Sequence, residues 1–266
     1  MQAHHLPVPI PFGEKSEAHW ATKPTGKAVI FVHGFGGSAI NTWVQFPSLL
    51  QTEGSCGGHD LIFYGYDGLR IRAHPSADLL GRFLEQLFTN PAEIVVQSLG
   101  TASRSPTFSY RQVVIVAHSL GAVVSRLALL DAYRKGRSWT SRTGLVLFAP
   151  AHTGAHIIPL ASLAMGALRL APVEALARFR FQVLNDLDEN SQTLKDLADR
   201  TRKALRKGAK HLVAIRVVHA GDDKIVNYVD FCEDPPAEFI HGVSHTGVCK
   251  PRPDFREPLL QVLSSI

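Results

Sequence analysis

The segment 113–124, VVIVAHSLGAVV, places one serine where a side chain could act as a nucleophile. An apolar, β-branched run precedes Ser119 and a helix-forming run follows it, which predicts a strand, a tight turn and a helix. Such a turn exposes the hydroxyl, provided that the residues two before and two after it are small. Ala117 and Gly121 meet this condition. The alternative is a serine in an ordinary strand-to-helix turn, because matches this short also arise by chance.

A glycine-rich segment, 29–38 (VIFVHGFGGS), ends another predicted strand. Glycines allow main-chain N–H groups to approach a substrate closely. One such N–H, together with the N–H that follows the nucleophile, can bind an oxyanion, and we expect the N–H groups of Phe35 and Leu120 to do so. A phosphate-binding loop is disfavoured, because neither G-x-G-x-x-G nor G-K-[ST] is present. The residues expected to contact a substrate are Gly34, Gly36 and His118.

A serine nucleophile also needs a histidine base and a carboxylate that orients the histidine. Asp222 and Asp223 follow an apolar run, and the carboxyl end of a strand in an α/β sheet is where ligands collect. Asp223 is favoured because the chain after it returns to apolar packing, but Asp222 stays open. A histidine in the last loop completes the order acid, then base, after the serine. This favours His245, with His241 as the alternative.

These residues require a scaffold of alternating strands and helices. Nearly continuous apolar runs predict strands that are covered on both faces, as in a parallel sheet. The predicted strands are 27–34, 60–66, 112–118, 144–150, 211–221 and 237–242. Helical periodicity predicts helices over 76–88, 121–133 and 191–208, and a short helix at the C-terminus. The pattern predicts an α/β fold with a doubly wound, mostly parallel sheet in one domain over 1–266. Residues 151–210 are expected to form a helical cap or insertion.

The chain resembles the α/β-hydrolase superfamily over most of its length. More narrowly, it resembles the serine esterases related to SERAC-type and GPI inositol-deacylase-like (PGAP-type) lipases. In such proteins an H-x-x-[IV]-x-K-P segment carries the catalytic histidine, which implies that role for His245. The family also tolerates alanine at the position of Ala117. The segments that carry the resemblance are VHGFGGSAINTW (32–43), FYGYDG (63–68), AHSLGAVVSRLAL (117–129), APAHTGA (149–155), GDDKIVN (221–227) and HTGVCKP (245–251).

Composition restricts the partners and the compartment. Hydrophobic residues make up 45% of the chain and charged residues 19%, which is enough apolar material for a core. The net charge of +5 is mild, so no nucleic-acid partner is expected. Three unpaired cysteines and no visible signal peptide or membrane span favour a cytoplasmic protein. No metal or other cofactor is expected, because no His, Cys and carboxylate cluster has ligand spacing.

The apolar run 157–171 and the following 172–184 invite interpretation as a lid that binds an acyl chain or a lipid surface. A plain cap on the sheet is the alternative. The basic stretch 200–210 follows a set of acidic residues, a polarity that suits the dipole of a solvated helix, so membrane contact is not favoured.

The combined pattern favours a serine carboxylesterase that acts on short- to medium-chain acyl esters through an acyl-enzyme intermediate. Ser119 would attack the ester carbonyl, His245 would act as base and then as acid, and Asp223 would orient the imidazole. One alternative is a lipase, phospholipase or acyl-protein thioesterase. An alternative of another class is a binding module that has the fold without catalysis.

Overall fold

The computed structural model describes residues 5–101, 103–168 and 181–266, which are organised around one eight-stranded sheet. Its strand order is β1-β2-β4-β3-β5-β6-β7-β8. The strands from β4 to β8 along this order pair in parallel, whereas β1 and β2 are antiparallel to their neighbours. The strands are β1 (His5–Pro9), β2 (Glu17–Ala21), β3 (Lys27–Val32), β4 (His59–Tyr64), β5 (Gln112–His118), β6 (Thr143–Phe148), β7 (Arg216–Ala220) and β8 (Glu238–Ile240).

Helices connect the parallel strands and cover both faces of the sheet. Within the described ranges these are α1 (Phe46–Thr52), α2 (Ala73–Thr89), α3 (Pro91–Leu99), α4 (Leu120–Arg134), α5 (Ile157–Leu168), α6 (Gln192–Arg206) and α7 (Glu257–Leu263). One core cluster joins one face of the sheet to α2, α3, α4 and α6. A second cluster joins the other face to α1 and α7. Along β3, Ile30 lies in the first cluster and Phe31 in the second, so successive side chains enter opposite cores.

The predicted α/β fold with a mostly parallel sheet is confirmed, and all six predicted strands are present. The prediction that β7 begins at residue 211 is wrong. Residues Lys210–Leu212 form a 3₁₀ turn, and the Ala214 N–H donates to Asp234 Oδ1 at 2.9 Å instead of entering a ladder. Strands β1 and β2 were not predicted. Two prolines in β1 suppress the strand signal, and proline is tolerated there because β1 is an edge strand.

The chain between β6 and β7 contains the predicted insertion. Helix α6 packs on α4, and its buried Leu194 and Leu197 join the main core. This part of the insertion therefore belongs to the layer that covers the sheet. Residues 169–180, which form the middle of the lid suggested over 157–184, lie outside the described residues. Both the single-domain prediction and the cap over 151–210 stay predictions. In the described ranges, no helix has the length and apolar character needed to span a bilayer.

A buried ion pair fixes the antiparallel side of the sheet to the loop before β5. Asp60 on β4 is fully buried, and one of its oxygens accepts from Arg104 at 2.8 Å and from the Ala21 N–H at 2.7 Å. The other oxygen accepts from the Tyr110 hydroxyl at 2.6 Å. Removing one partner of such a pair leaves an uncompensated charge in a medium that solvates it poorly.

We predict that Arg104→Met lowers the free energy of unfolding by about 3–5 kcal/mol, measured by urea denaturation. The matched control is Arg82→Met, which breaks a solvent-exposed pair with Asp78 and should change the same quantity by no more than about 0.5 kcal/mol. Adding Asp60→Asn to Arg104→Met should restore part of the loss, because no buried charge then remains. Equal effects of the two arginine substitutions would contradict the interpretation.

Candidate active site

Ser119 occupies the sharp turn between β5 and α4. Its backbone lies at φ 53° and ψ −119°, a conformation that costs free energy for any residue with a Cβ. Three main-chain hydrogen bonds hold the turn. The Ser119 N–H donates to the Phe148 carbonyl at 3.0 Å, and the Ser119 carbonyl accepts from Ala122 and Ala151. The serine is therefore fastened to the end of the neighbouring strand β6, which keeps it in the strained conformation.

The turn also lies directly against the end of β3. A Cβ added at Gly121 would overlap the carbonyl oxygens of Val32 and His33. On the opposite side of the contact, a Cβ at Gly34 would lie 2.9 Å from the Ser119 Cβ. Both glycines are needed because two backbones meet without room for side chains. The residues flanking Ser119 must be small, as the sequence indicated, but Gly121 faces the adjacent strand β3 rather than β5.

Asp223 and His245 meet next to this turn. Asp223 follows β7 and His245 follows β8, and the His245 Nδ1–H donates to Asp223 Oδ2 at 2.8 Å. Burial favours a higher pKa for Asp223. The effect of burial is outweighed by the hydrogen bond and charge of His245 and by the N–H groups of Val226 and Ile225. Together these lower the pKa of Asp223 below the ordinary value. Asp223 is thus a carboxylate at neutral pH, and it fixes the imidazole tautomer with an unprotonated Nε2.

The two groups that would react have no partner among the described residues. Ser119 Oγ and His245 Nε2 are both buried and make no hydrogen bond there. Both residues line a pocket of about 260 Å³ at the carboxyl ends of the parallel strands. A hydroxyl and an imidazole lone pair in one pocket can take up a substrate, with the hydroxyl donating its proton to the imidazole as it attacks.

The remaining predicted residues surround this pocket. Gly34, Phe35 and Gly36 line it together with His118. Leu120 is the first residue of α4, so its N–H lacks an intrahelical acceptor. In the described part of the chain, neither the Phe35 N–H nor the Leu120 N–H donates to a main-chain acceptor. Both N–H groups are available to a ligand, and their role in binding an oxyanion stays a prediction.

His118 makes a contact that the sequence did not indicate. Its Nε2–H donates to the main-chain carbonyl of His245 at 2.9 Å, and the two rings lie 4.8 Å apart between centroids. Burial, reinforced by the neighbouring His245 imidazole, lowers the pKa of His118 to about 3. A neutral His118 therefore anchors the loop that carries His245. The ring of His118 also lines the pocket, and its contact with a substrate stays a prediction.

Two further histidines, His33 and His241, lie outside the pair formed by Asp223 and His245. His33 accepts from the Tyr66 N–H through Nε2 and donates through Nδ1 to the Gly34 carbonyl, which shapes the glycine loop. Burial lowers the pKa of His33 to about 4. The alternative base His241 lies in the turn after β8, exposed and beside Gly221. The alternative acid Asp222 is exposed.

Sequence reasoning assigned no individual role to six of the residues that line the pocket, namely Gly37, Thr42, Leu160, Thr246, Cys249 and Lys250. The last three follow His245 directly in HTGVCKP, so their proximity to a base was the available signal. Burial raises the pKa of the Cys249 thiol to about 12, which makes it unreactive. Across the described ranges no group of three or more His, Cys, Asp or Glu side chains could hold a metal ion.

We predict that Gly121→Ala lowers the free energy of unfolding by about 1–3 kcal/mol, because the new methyl group would force the turn away from β3. Gly81→Ala on α2 is the matched control, since its Cβ would meet only the Ala128 Cβ at 4.0 Å. That substitution should stabilise the protein by about 0.5–1 kcal/mol. Thermal and urea denaturation measure both. A neutral Gly121→Ala would mean that the turn has more room than its contacts indicate.

Comparison with solved structures places this arrangement in a known fold. The lipase BlEst2 of Bacillus licheniformis, in its mature form, aligns with a TM-score of 0.54 and 14% identity over 96% of this chain and 95% of that chain. A 2-hydroxy-6-oxo-6-phenylhexa-2,4-dienoate hydrolase from Rhodococcus sp. strain RHA1 aligns with a TM-score of 0.51 and 15% identity over 98% and 99%. At these identities the likeness establishes the fold alone.

A structure described among carboxylesterases of the thaumarchaeon Nitrososphaera gargenis aligns with a TM-score of 0.52 and 12% identity over 98% of this chain and 97% of that chain. No curated protein sequence matches the chain. The family model described as "Alpha/beta hydrolase family" matches residues 29–256, which include the turn at Ser119 and both Asp223 and His245. The chain belongs to the α/β-hydrolase family and is a serine-hydrolase-type enzyme.

Proposed function

We propose that the protein is a carboxylic-ester hydrolase that acts on short- to medium-chain acyl esters. The observation that carries the proposal is that the unpartnered hydroxyl of the strained, buried Ser119 lines the same pocket as the His245 imidazole, which is held by Asp223. The pocket of about 260 Å³ is small for a ligand site, since such sites span about 300–1,000 Å³, and this favours short acyl groups.

In the proposed mechanism, Ser119 Oγ attacks the ester carbonyl and its proton moves to His245 Nε2. The carbonyl π electrons move to oxygen, and the N–H groups of Phe35 and Leu120 stabilise the resulting oxyanion. Collapse of this intermediate breaks the bond to the alcohol, which takes the proton from His245. Water then attacks the acyl-enzyme by the same route and releases the acid and the free serine. Asp223 remains ionised throughout and stabilises the imidazolium.

A lipid substrate is the second candidate within the same chemistry. Helix α5 is rich in apolar residues, and its Leu160 forms part of the pocket wall, which suits an acyl chain. A lipase, phospholipase or acyl-protein thioesterase would use these contacts. A rate jump when the ester exceeds its solubility limit would favour the lipase; a smooth saturation curve favours the esterase. We further propose membership of the SERAC-type and PGAP-type esterases, on the strength of HTGVCKP around His245.

A binding module without catalysis is disfavoured, because the candidate nucleophile, base and acid lie together in one site. A small-molecule ester is the proposed partner, and nucleic acid and membrane are not part of the proposal.

We predict that Ser119→Ala lowers kcat for p-nitrophenyl butyrate by about 10⁴-fold or more, because it removes the hydroxyl that would attack the ester carbonyl. The matched control is Ser125→Ala on helix α4, which follows the turn; its hydroxyl is also buried and unpartnered, but it does not line the pocket. Its turnover should stay near that of the unmodified protein. A fluorophosphonate should label Ser119 alone, as detected by peptide mass spectrometry. Full turnover by Ser119→Ala would exclude the mechanism.

The two aspartates give a second test. Asp223→Asn should lower kcat by about 10³–10⁴-fold, because an amide can donate to the imidazole and select the wrong tautomer. Asp222→Asn removes an exposed carboxylate one residue away and should change kcat less than about twofold. Initial rates with p-nitrophenyl butyrate at neutral pH measure both. Similar, mild losses in the two variants would show that Asp223 is not the orienting acid.

A further inference from the structure

One of the described residues that line the serine pocket carries a permanent charge. Three of the described lining residues are glycines, and none is a carboxylate. The charged residue is Lys250, which follows His245 by five positions and lines the same pocket. Within the described part of the chain, a substrate that enters this pocket therefore meets a single cation.

The ammonium group of Lys250 is unpaired within the described part of the chain, where no carboxylate lies at ion-pair distance from it. The acid that orients His245 and the acid four positions after Lys250 have other partners. Asp223 is bound to His245 and to two main-chain N–H groups, and Asp254 pairs with Arg252 at 3.3 Å. An unpaired, partly buried cation is a site for an anionic group that comes from outside the chain.

The backbone that carries this lysine is held in place. The Lys250 N–H donates to the Gly247 carbonyl at 3.0 Å, and the Val248 N–H donates to the Ser244 carbonyl at 3.1 Å. The neighbouring Cys249 is fully buried. The charge of Lys250 also reaches the pocket interior, because it adds to burial and His245 in lowering the pKa of His118. The backbone of Lys250 is thus held in the same loop as His245, and its side chain lines the pocket that contains the reacting groups.

A second cleft adjoins the serine pocket, and its charges do not select for an anion. It has a volume of about 650 Å³ and shares Gly36 and Gly37 with the serine pocket. Its charged lining residues are two acids and two bases, namely Glu14, Asp67, Lys15 and Arg70. These charges balance, so the cleft favours neither sign. Of these two adjoining spaces, the pocket that contains Ser119 is the one whose described charged lining favours an anion.

We propose that Lys250 selects esters that carry an anionic group, a carboxylate or a phosphate, a few bonds from the scissile carbonyl. This inference rests on the proposed ester hydrolysis and specifies its substrate class. The ammonium group forms a charge-assisted hydrogen bond with the anion and orients the ester against Ser119. Esters of the same size with a cationic group bind poorly, because none of the described residues that line the pocket is a carboxylate that could receive them.

The test compares matched esters. On the acyl side, p-nitrophenyl hydrogen adipate has the same chain length as p-nitrophenyl hexanoate and adds a terminal carboxylate. On the alcohol side, ethylene glycol monoacetate is compared with the same ester phosphorylated on its free hydroxyl, followed by pH-stat titration. The quantity measured is the ratio of kcat/KM for the anionic ester to that for its neutral partner. A selective ratio in one pair but not the other identifies which side of the ester carries the anion.

We predict that Lys250→Met lowers this ratio about tenfold in at least one pair, and that Lys250→Glu lowers it further. Lys250→Arg should retain most of it, and added salt should reduce it in the unmodified protein. Lys207→Met is the matched control, since that lysine is exposed at the end of α6, and it should leave the ratio unaltered. Far-UV circular dichroism and thermal melting establish that each variant is folded, and Lys250→Gln replaces Lys250→Met if the latter is not.

The results distinguish failure of the proposed anion site from failure of the proposed ester hydrolysis. If the unmodified protein hydrolyses both esters of a pair and the ratio does not change in Lys250→Met or Lys250→Glu, the anion site is overturned while ester hydrolysis stands. If none of the esters is hydrolysed, the proposed function itself fails. A ratio that falls equally in Lys207→Met would assign the effect to the overall positive charge and would also overturn the inference.

Discussion

The close approach of two backbones underlies the whole site. The turn at Ser119 lies against the end of β3, where Gly121 and Gly34 leave no room for a Cβ. This contact brings the candidate nucleophile next to the glycine loop and the Phe35 N–H, and it holds Ser119 at a φ of 53°. The free-energy cost of that conformation is offset by main-chain hydrogen bonds to β6 and by the buried helix α4. The parallel sheet positions the site because it aligns the carboxyl ends of β3, β5, β7 and β8 at one edge.

Burial divides the histidines near the site into two kinds. His33, His118 and His219 are deprived of solvent, and their pKa values are lowered to between about 3 and 4. They stay neutral at physiological pH and serve as hydrogen-bonding or packing groups. His245 differs because its Nδ1–H donates to the carboxylate of Asp223 at 2.8 Å. Of these four imidazoles, His245 is the one that is hydrogen-bonded to a carboxylate, which explains why proximity to Ser119 is a poor criterion for choosing the base.

The sequence predicted the parts of the molecule that depend on local pattern. Apolar runs located the parallel strands, and the turn signals around Ser119, Asp223 and His245 placed three separated segments at the same edge of the sheet. Strand β1 escaped prediction because its pairing with β2 is a long-range event and its prolines mask it. The start of β7 depends on Asp234, which lies beyond that strand and captures the Ala214 N–H. The sequence did not single out Lys250, because its proposed role depends on the lack of a carboxylate close to it among the described residues. A sequence does not show which charged side chains are unpaired in the fold.

The hydrogen bond from His118 to the carbonyl of His245 joins residues that are 127 positions apart. Strand β8, which precedes the His245 loop, has only three residues and lies at the edge of the sheet, where strands fray most readily. The hydrogen bond therefore fixes the His245 loop to the central strand β5 and not only to its own strand β8. His118 directly precedes the candidate nucleophile, so one residue at the end of β5 is joined covalently to Ser119 and by a hydrogen bond to the loop that carries the candidate base. Fraying of β8 is opposed by this bond, and the base keeps an anchor at the centre of the sheet when its own strand loosens.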